Sequence, residues 1–241
     1  MNVYTYFEDI RGFQHQREML DVWIQNWKHK GFNPVVLNQQ HAEAHKYYNE
    51  YNSKCKKIQK KLYNEPLTSY GLSCFNRWLA YAGQQDEIMI VCDYDVININ
   101  LENIDFDSRI NIMQSEPGGN NPTPCFATGT PRQFARLAHM FVELTEKNIS
   151  NGSFKKNGPW WHDQNAIRGN LHDWPDDFIV FSSTIPPIDF GFWDTPIDWR
   201  RERLVHVSHF FTRLYKEHRK IHDKSLHQIR IELMKEFSGL W

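Results

Sequence analysis

Ile88-Met89-Ile90-Val91-Cys92-Asp93-Tyr94-Asp95 is the stretch on which the fold turns. Residues 88–91 are an uninterrupted apolar run, as expected of a strand covered on both faces at the centre of a parallel sheet. The run leads straight into two aspartates. Open α/β sheets bind ligands outside the carboxyl ends of their strands, so acids placed there can carry chemistry. At a spacing of two, the Asp93 and Asp95 side chains leave an extended backbone on the same face. Two adjacent carboxylates repel each other unless a cation joins them. Oxygen ligands of this kind suit Mg²⁺ or Mn²⁺, which keep coordination positions for substrate phosphates. The spacing alone is weak, because about one such match is expected by chance in a chain this rich in aspartate. A second pair, Asp105 and Asp107, repeats it downstream without the apolar lead-in and reads as surface acids.

Working outward, strand and helix alternate. Leu72, Phe75, Leu79 and Ala82 mark an amphipathic helix before the central strand, stopped at Gly83. Residues 3–7 predict a first strand. Met19, Leu20, Trp23, Ile24 and Trp27 predict a helix stopped at Gly31, and residues 34–37 a second strand. A polar helical region spans 43–63, with Pro66 beyond it. Downstream, 110–113 and 125–130 read as strands around a Gly/Asn/Pro loop at 117–124. Pro131 suits the first position of a helix reaching Lys147. Residues 152–159 read as loop, and 160–167 as the entry to another helix. Strands at 178–181 and 204–207 precede helices at 210–221 and 225–237. With no repeat or low-complexity linker, a single α/β domain over 1–241 is the economical reading.

Composition narrows the function classes. Of 241 residues, 40% are hydrophobic and 24% charged, which fits a globular chain and not a disordered one. A formal net charge of -1 gives no global field toward nucleic acid or a membrane. Lys54, Lys56, Lys57, Lys60 and Lys61 cluster on a predicted helix and read as its solvated face. Aromatics make up 15% of the chain, nine of them Trp; a few suit sugar stacking, but most must fill a core. None of the four cysteines forms a C-x-x-C pair, so no zinc ribbon or thioredoxin-type site is expected. Cys74 and Cys92 sit within apolar stretches and read as buried thiols, and a reducing compartment is the simplest inference for the four cysteines, Cys55, Cys74, Cys92 and Cys125. No basic-then-apolar leader opens the chain and no apolar run has membrane-spanning length, which predicts a soluble, cytoplasmic protein. The N-glycosylation patterns at 148–150 and 151–153 are incidental in that setting.

Cys74-Phe75-Asn76-Arg77-Trp78-Leu79-Ala80, followed by 88–96, resembles the helix and D-x-D strand of nucleotide-diphospho-sugar glycosyltransferases with the GT-A fold. Val3-Tyr4-Thr5-Tyr6, the helix ending Asn26-Trp27, and Gly31-Phe32-Asn33-Pro34-Val35-Val36-Leu37 look like that superfamily's first strand, helix and second strand. The likeness covers most of residues 1–100. It implies a GT-A-like single domain with a Rossmann-like mixed central sheet flanked by helices. Residues 1–100 would form the nucleotide-sugar and metal-binding half, and 101–241 the acceptor-side half with the C-terminal helices. It also implies that Asp95 ligates Mn²⁺ or Mg²⁺ on the donor diphosphate, while Asp93 contacts the donor's ribose or sugar and supports the metal. Arg77 matches a donor-facing basic position, where a guanidinium can pair with phosphate or with Asp93; a surface helix arginine is the alternative. Tyr4, Thr5 and Tyr6 would lie near the base, or serve the core.

Trp160-Trp161-His162-Asp163-Gln164-Asn165 is similar to the "DQ" element of several GT-A families. In that role Asp163 would orient sugar hydroxyls or act as base, and Gln164 would hydrogen-bond the reacting centre. The two tryptophans offer faces on which sugars can stack. The competing reading makes Asp163 a helix N-cap. Many GT-A enzymes complete the metal site with a late histidine, and imidazole suits Mn²⁺ beside carboxylates. His206 and His209 project to opposite faces of an extended segment, and His206 is preferred because it sits on the strand itself. Glu116 is an acceptor-side candidate or a turn-forming acid. Its Gly-rich loop lacks a P-loop pattern.

These features predict a metal-dependent glycosyltransferase moving a sugar from a nucleotide-diphosphate sugar to a hydroxyl of a glycan or other acceptor. Analogy with DQ families leans toward retention of configuration. The rivals are a catalytically silent nucleotide- or carbohydrate-binding module and a metal-dependent nucleotidyltransferase or phosphoryl transferase. Nucleotidyl transfer usually needs a Gly-rich phosphate loop near the first strand, where residues 8–13 offer only Gly12.

Overall fold

The computed structural model describes residues 1–10, 15–102, 104, 106, 108–114, 122–156, 158, 160–182 and 203–239. Its main sheet contains β1 (Asn2–Tyr6), β2 (Asn33–Leu37), β3 (Met89–Cys92), β5 (Ile110–Gln114), β6 (Pro122–Gly129) and β7 (Ile179–Ser182), in the order β2-β1-β3-β6-β5-β7. β1 pairs in parallel with β2 and β3, and β5 with β7; β6 runs against both its neighbours. The sheet is therefore parallel apart from one reversed strand. A small antiparallel sheet joins β4 (Val96–Asn98) to β8 (Leu204–His206).

Alternation along the strands divides the core in two. Tyr4, Tyr6, Met89 and Val91 face a layer built from α3 (Tyr48–Tyr63), α4 (Ser69–Ala82), α5 (Pro131–Ser150) and α6 (Asp163–Gly169). Val3, Ile90 and Cys92 face α1 (Gln16–His29), α7 (His209–His218), α8 (Leu226–Ser238) and the small sheet. The aromatics are chiefly core: Trp23, Trp27, Trp78 and Trp161 are fully buried. Among the described residues no helix is long and apolar enough to cross a membrane, and all four cysteines are free thiols.

Three expectations need adjusting. The region predicted as one helix from 43 to 63 is two, α2 (Gln39–Glu43) and α3. Asn38 caps α2 with its own side chain, and the chain then turns through His45 and Tyr48 amides that donate back to Ala42 and His45. Tyr47, at the break, packs edge-on against His139 of α5 at 4.6 Å. β6 begins at Pro122, inside the predicted loop. The prolines are tolerated because the pairing of β6 with β3 runs only from Phe126 to Gly129, leaving the first residues of β6 with β5 alone. Cys74 is only half-buried, since it lies on the α4 face that carries Tyr70 and Arg77.

α5 begins where Pro131 predicted. Thr130 Oγ1 accepts from the Gln133 amide at 3.2 Å, and Gln133 Oε1 accepts from the Thr130 amide at 2.7 Å, a reciprocal capping box. Thr130→Ala should lower unfolding stability by about 1 kcal/mol, with Thr130→Ser close to neutral, read as midpoint shifts in urea.

Candidate active site

The site forms where the chain leaves the main sheet. The Asp93 amide donates to the Cys125 carbonyl at 2.8 Å, continuing the β3–β6 ladder by one residue. The Val96 amide then closes a turn onto the Asp93 carbonyl at 3.0 Å, and β4 departs to pair with β8. The two aspartates thus converge through a turn, not from an extended strand. α1 fixes the departing strand: Asn26 exchanges hydrogen bonds with the Asn98 backbone at 2.8 and 2.9 Å, and the Trp27 indole donates to Val96 O at 3.1 Å. His206 lies opposite Val96 in the small sheet, and the Val207 amide donates to the Asp95 carbonyl at 2.9 Å.

Asp93, Asp95 and His206 consequently come together, each offering a ligand atom within 4.8 Å of the others. His206 Nε2 is 3.3 Å from Asp95 Oδ2. Arg230 of α8 donates to the same oxygen, while its Nε donates to the Val207 carbonyl at 2.7 Å. Burial pushes the Asp95 carboxyl up, but His206 and Arg230 outweigh it and hold the group below the usual carboxylate range. Burial pushes Asp93 up, only partly offset by Arg77 and reinforced by Asp95. Two carboxylates and an imidazole make a donor set that fits a divalent cation. The buried Asp95 Oδ1 has no hydrogen-bond partner among the described residues, which leaves an unused strong acceptor on one member of that group.

Arg77 joins this cluster to the Asp-Gln element. It donates to Asp93 Oδ1 through Nη1, and to Asp163 Oδ2 through Nη2 and, at 2.9 Å, through Nε. The Trp78 indole donates to the same Asp163 oxygen at 2.9 Å, and the Gln164 amide to Asp163 Oδ1 at 2.8 Å. Asp163 is 2% exposed. Burial pushes its carboxyl up, but Arg77, then His162 and Trp78, hold it down at about 2. A carboxylate occupied by four donors is a firm anchor and a weak base. Asp163 is the first residue of α6, with His162 at the N-cap making no side-chain cap bond. The capping reading therefore accounts for only a small part of its contacts.

The remaining candidates separate by position. Tyr4, Thr5 and Tyr6 are all buried in β1. The Tyr4 hydroxyl donates to Asp86 at 2.7 Å, before β3 begins and therefore away from the aspartates. Tyr6, at the carboxyl end of β1, donates to Glu8, and next to it Phe7 meets Tyr94 edge-on at 5.6 Å. Gln164 is half-buried and its Nε2 lies 3.3 Å from the Pro122 carbonyl. His209 opens α7 and is not in the Asp93, Asp95 and His206 group. Trp161 is buried against Phe75 at 4.3 Å, so only Trp160 of the tryptophan pair is exposed. Asp105, Asp107, Glu116 and Gly12 lie outside the described residues. Sequence reasoning missed Arg230, which no local motif marks, and gave no role to Trp78, although it lies in the quoted α4 stretch beside Arg77.

A central sheet parallel but for one strand, helices on both faces, and an acidic pair where the central strand ends make up a GT-A-like fold. A solved glycosyltransferase involved in glycosylation of the major capsid of PBCV-1 aligns over 97% of this chain and 98% of its own, with a TM-score of 0.54 and 12% identity. A mutant Drosophila beta-1,4-galactosyltransferase 7, solved with manganese, UDP-Gal and xylobiose, aligns over 94% of this chain and 83% of its own, at TM-score 0.38 and 10% identity. No protein-family model matches the chain, and no curated protein matches it by sequence.

Proposed function

We propose that this protein is a metal-dependent glycosyltransferase that moves a sugar from a nucleotide-diphosphate sugar to an acceptor hydroxyl. The observation that carries the reading is the meeting of Asp93, Asp95 and His206 at the end of β3, with a buried unpartnered carboxylate oxygen among them. The fold supports it as an analogy.

In this reading Asp95 and His206 hold the ion and Asp93 adds a ligand or meets the donor's ribose or sugar. A divalent ion held there supplies positive charge to a departing diphosphate. Arg230 keeps Asp95 ionised and aimed by fixing one of its oxygens. Arg77 presents a cation beside Asp93 for the donor's phosphate or sugar, and Asp163 positions Arg77. Gln164 faces the acceptor side. Tyr6 lies at the donor end of β1, whereas Tyr4 serves the core. Retention of configuration is the preferred outcome. The preference rests on analogy with families that carry an Asp-Gln element; among the described carboxylates of the cluster, Asp93, Asp95 and Asp163 are each already engaged by a cation.

The test is thermal unfolding with a panel of UDP- and GDP-sugars, with Mn²⁺, with Mg²⁺ and with chelator, alongside release of free nucleotide. A donor at about a hundred times its Kd should raise Tm by roughly 5 °C or more in the presence of metal, and chelator should remove the shift. Binding without nucleotide release, with acceptors present, would mark a silent nucleotide-sugar module. No shift and no release with any donor would overturn the proposal.

A further inference from the structure

Six tryptophans lie among the described residues, and five of them are buried in the core. Trp160 is the exception, at 41% exposure. Large exposed apolar side chains are few among the described residues: Met1, Tyr47, Tyr70, Ile88 and Trp160. Two of these five, Tyr70 and Trp160, meet each other, with ring centroids 6.1 Å apart and planes at 72°. They come from distant elements, the first turn of α4 and the residues before α6, so the meeting is a product of the fold and not of sequence adjacency. His162 adds a third ring, 6.1 Å from Trp160.

The position of the pair is informative. Tyr70, Cys74 and Arg77 follow one another at helical spacing on one face of α4, which places Tyr70 about 10 Å along the helix from Arg77. Tyr70 lies within electrostatic reach of Asp93, Arg77 and Asp163. The groups thus run in order: Arg230 and His206 on Asp95, then Asp93, then Arg77 with Asp163, then the aromatic pair. The pair is linked to Asp93 through Arg77 and Asp163 and so lies on the Asp-Gln side of the cluster.

We propose that Tyr70 and Trp160 form the acceptor platform, and that the acceptor is a carbohydrate whose pyranose ring stacks on Trp160. The inference rests on the glycosyltransferase reading for the word acceptor, but the binding surface stands on its own geometry. An open indole with a phenol against it offers flat apolar area, and the C–H face of a pyranose is flat and apolar too. The nearby groups are an imidazole, a guanidinium and carboxylates, which suit the ring's hydroxyls. A lipid or an apolar peptide would want exposed aliphatic side chains, and the exposed ones, Met1 and Ile88, are not part of this pair.

The experiment uses the full chain and a panel of methyl pyranosides and short oligosaccharides of glucose, galactose, mannose, xylose and N-acetylglucosamine. Binding is read by saturation-transfer NMR and titration; metal-dependent nucleotide release from donor is read separately. At least one panel sugar should bind, with saturation strongest on its ring C–H protons. Trp160→Ala and Tyr70→Ala should weaken that binding at least about tenfold, the scale of truncating an aromatic anchor. Trp160→Phe should retain most of it, and Tyr47→Ala, an exposed aromatic elsewhere, should change nothing. Donor hydrolysis should be unaltered in Tyr47→Ala, which lies outside both the platform and the Asp93 cluster. No sugar bound by a wild type that still releases nucleotide, or sugar binding unchanged in Trp160→Ala, would overturn the platform. Sugar binding lost in Trp160→Ala while no donor is ever turned over would uphold the platform and sink the enzyme reading instead.

Discussion

Asp95→Asn should abolish metal-stimulated donor binding and reduce nucleotide release by about a thousandfold or more, equivalent to roughly 4 kcal/mol of lost transition-state stabilisation. The amide keeps the volume of the carboxylate and removes the charge on which His206 and Arg230 converge. A cation would lose its central ligand, because Asp95 is the member of the cluster held ionised by its neighbours. The same change leaves Arg230 without its carboxylate. Removing one partner of a largely buried pair costs about 3–5 kcal/mol, so the variant should also unfold at lower urea. The double change Asp95→Asn with Arg230→Gln separates the two effects, since it removes both charges: stability should recover in part while metal-stimulated binding stays absent. His206→Gln should weaken metal dependence less, leaving both carboxylates in place. Metal-stimulated donor binding that survives in Asp95→Asn would sink the site assignment.

The elements around this site were legible to very different degrees. β3 and its two aspartates stood out because burial of a central strand leaves a run of apolar residues, and strand ends in α/β sheets collect ligands. The α4 face and the start of α5 were legible for local reasons, helical spacing in one and a proline suited to the first helical position in the other. Arg230 was not, although it touches the key oxygen. It lies 135 residues from Asp95. The apolar positions of α8, Ile229, Leu233, Met234 and Phe237, predict a buried face but not the strand against which that face docks. His206 could be favoured over His209 from strand position, and its pairing opposite Val96 brings it to Asp95. Division into a donor half at 1–100 and an acceptor half at 101–241 is blurred by this geometry, since His206 and Arg230 come from the second half to hold Asp95. The tryptophan pair shows the same limit: adjacent residues 160 and 161 are chemically identical, and only packing decides that one fills the core. Asp163 stands out through the Asp-Gln resemblance, with a helix cap as the alternative, and neither reading points to its main partners, Arg77 and Trp78, which arrive from another helix.

Asp163→Ala should cost about 3–5 kcal/mol of stability, the second large effect expected here. The loss has two parts. Arg77, only 12% exposed at its side chain, is left with Asp93 alone, and the buried Trp78 indole loses its acceptor. Asp163→Asn should retain the indole bond but not the charge, and fall between Ala and wild type. The pH dependence follows from the carboxyl held at about 2. Because its pKa is lower in the folded than in the unfolded chain, the unfolded chain binds the extra proton between about pH 4 and 2. The stabilisation is therefore complete above pH 4, amounts to about 2 kcal/mol, and disappears as the pH falls through 2. Urea midpoints of wild type and Asp163→Asn should differ most above pH 4 and converge in stronger acid. Metal-stimulated nucleotide binding should persist in the Asn variant, since Asp163 is not in the Asp93, Asp95 and His206 group, while turnover should drop because Arg77 is no longer held. A direct role as base predicts another pattern: wild-type urea midpoints at every pH, with turnover lost. That result would reassign Asp163 from positioning Arg77 to the chemistry itself.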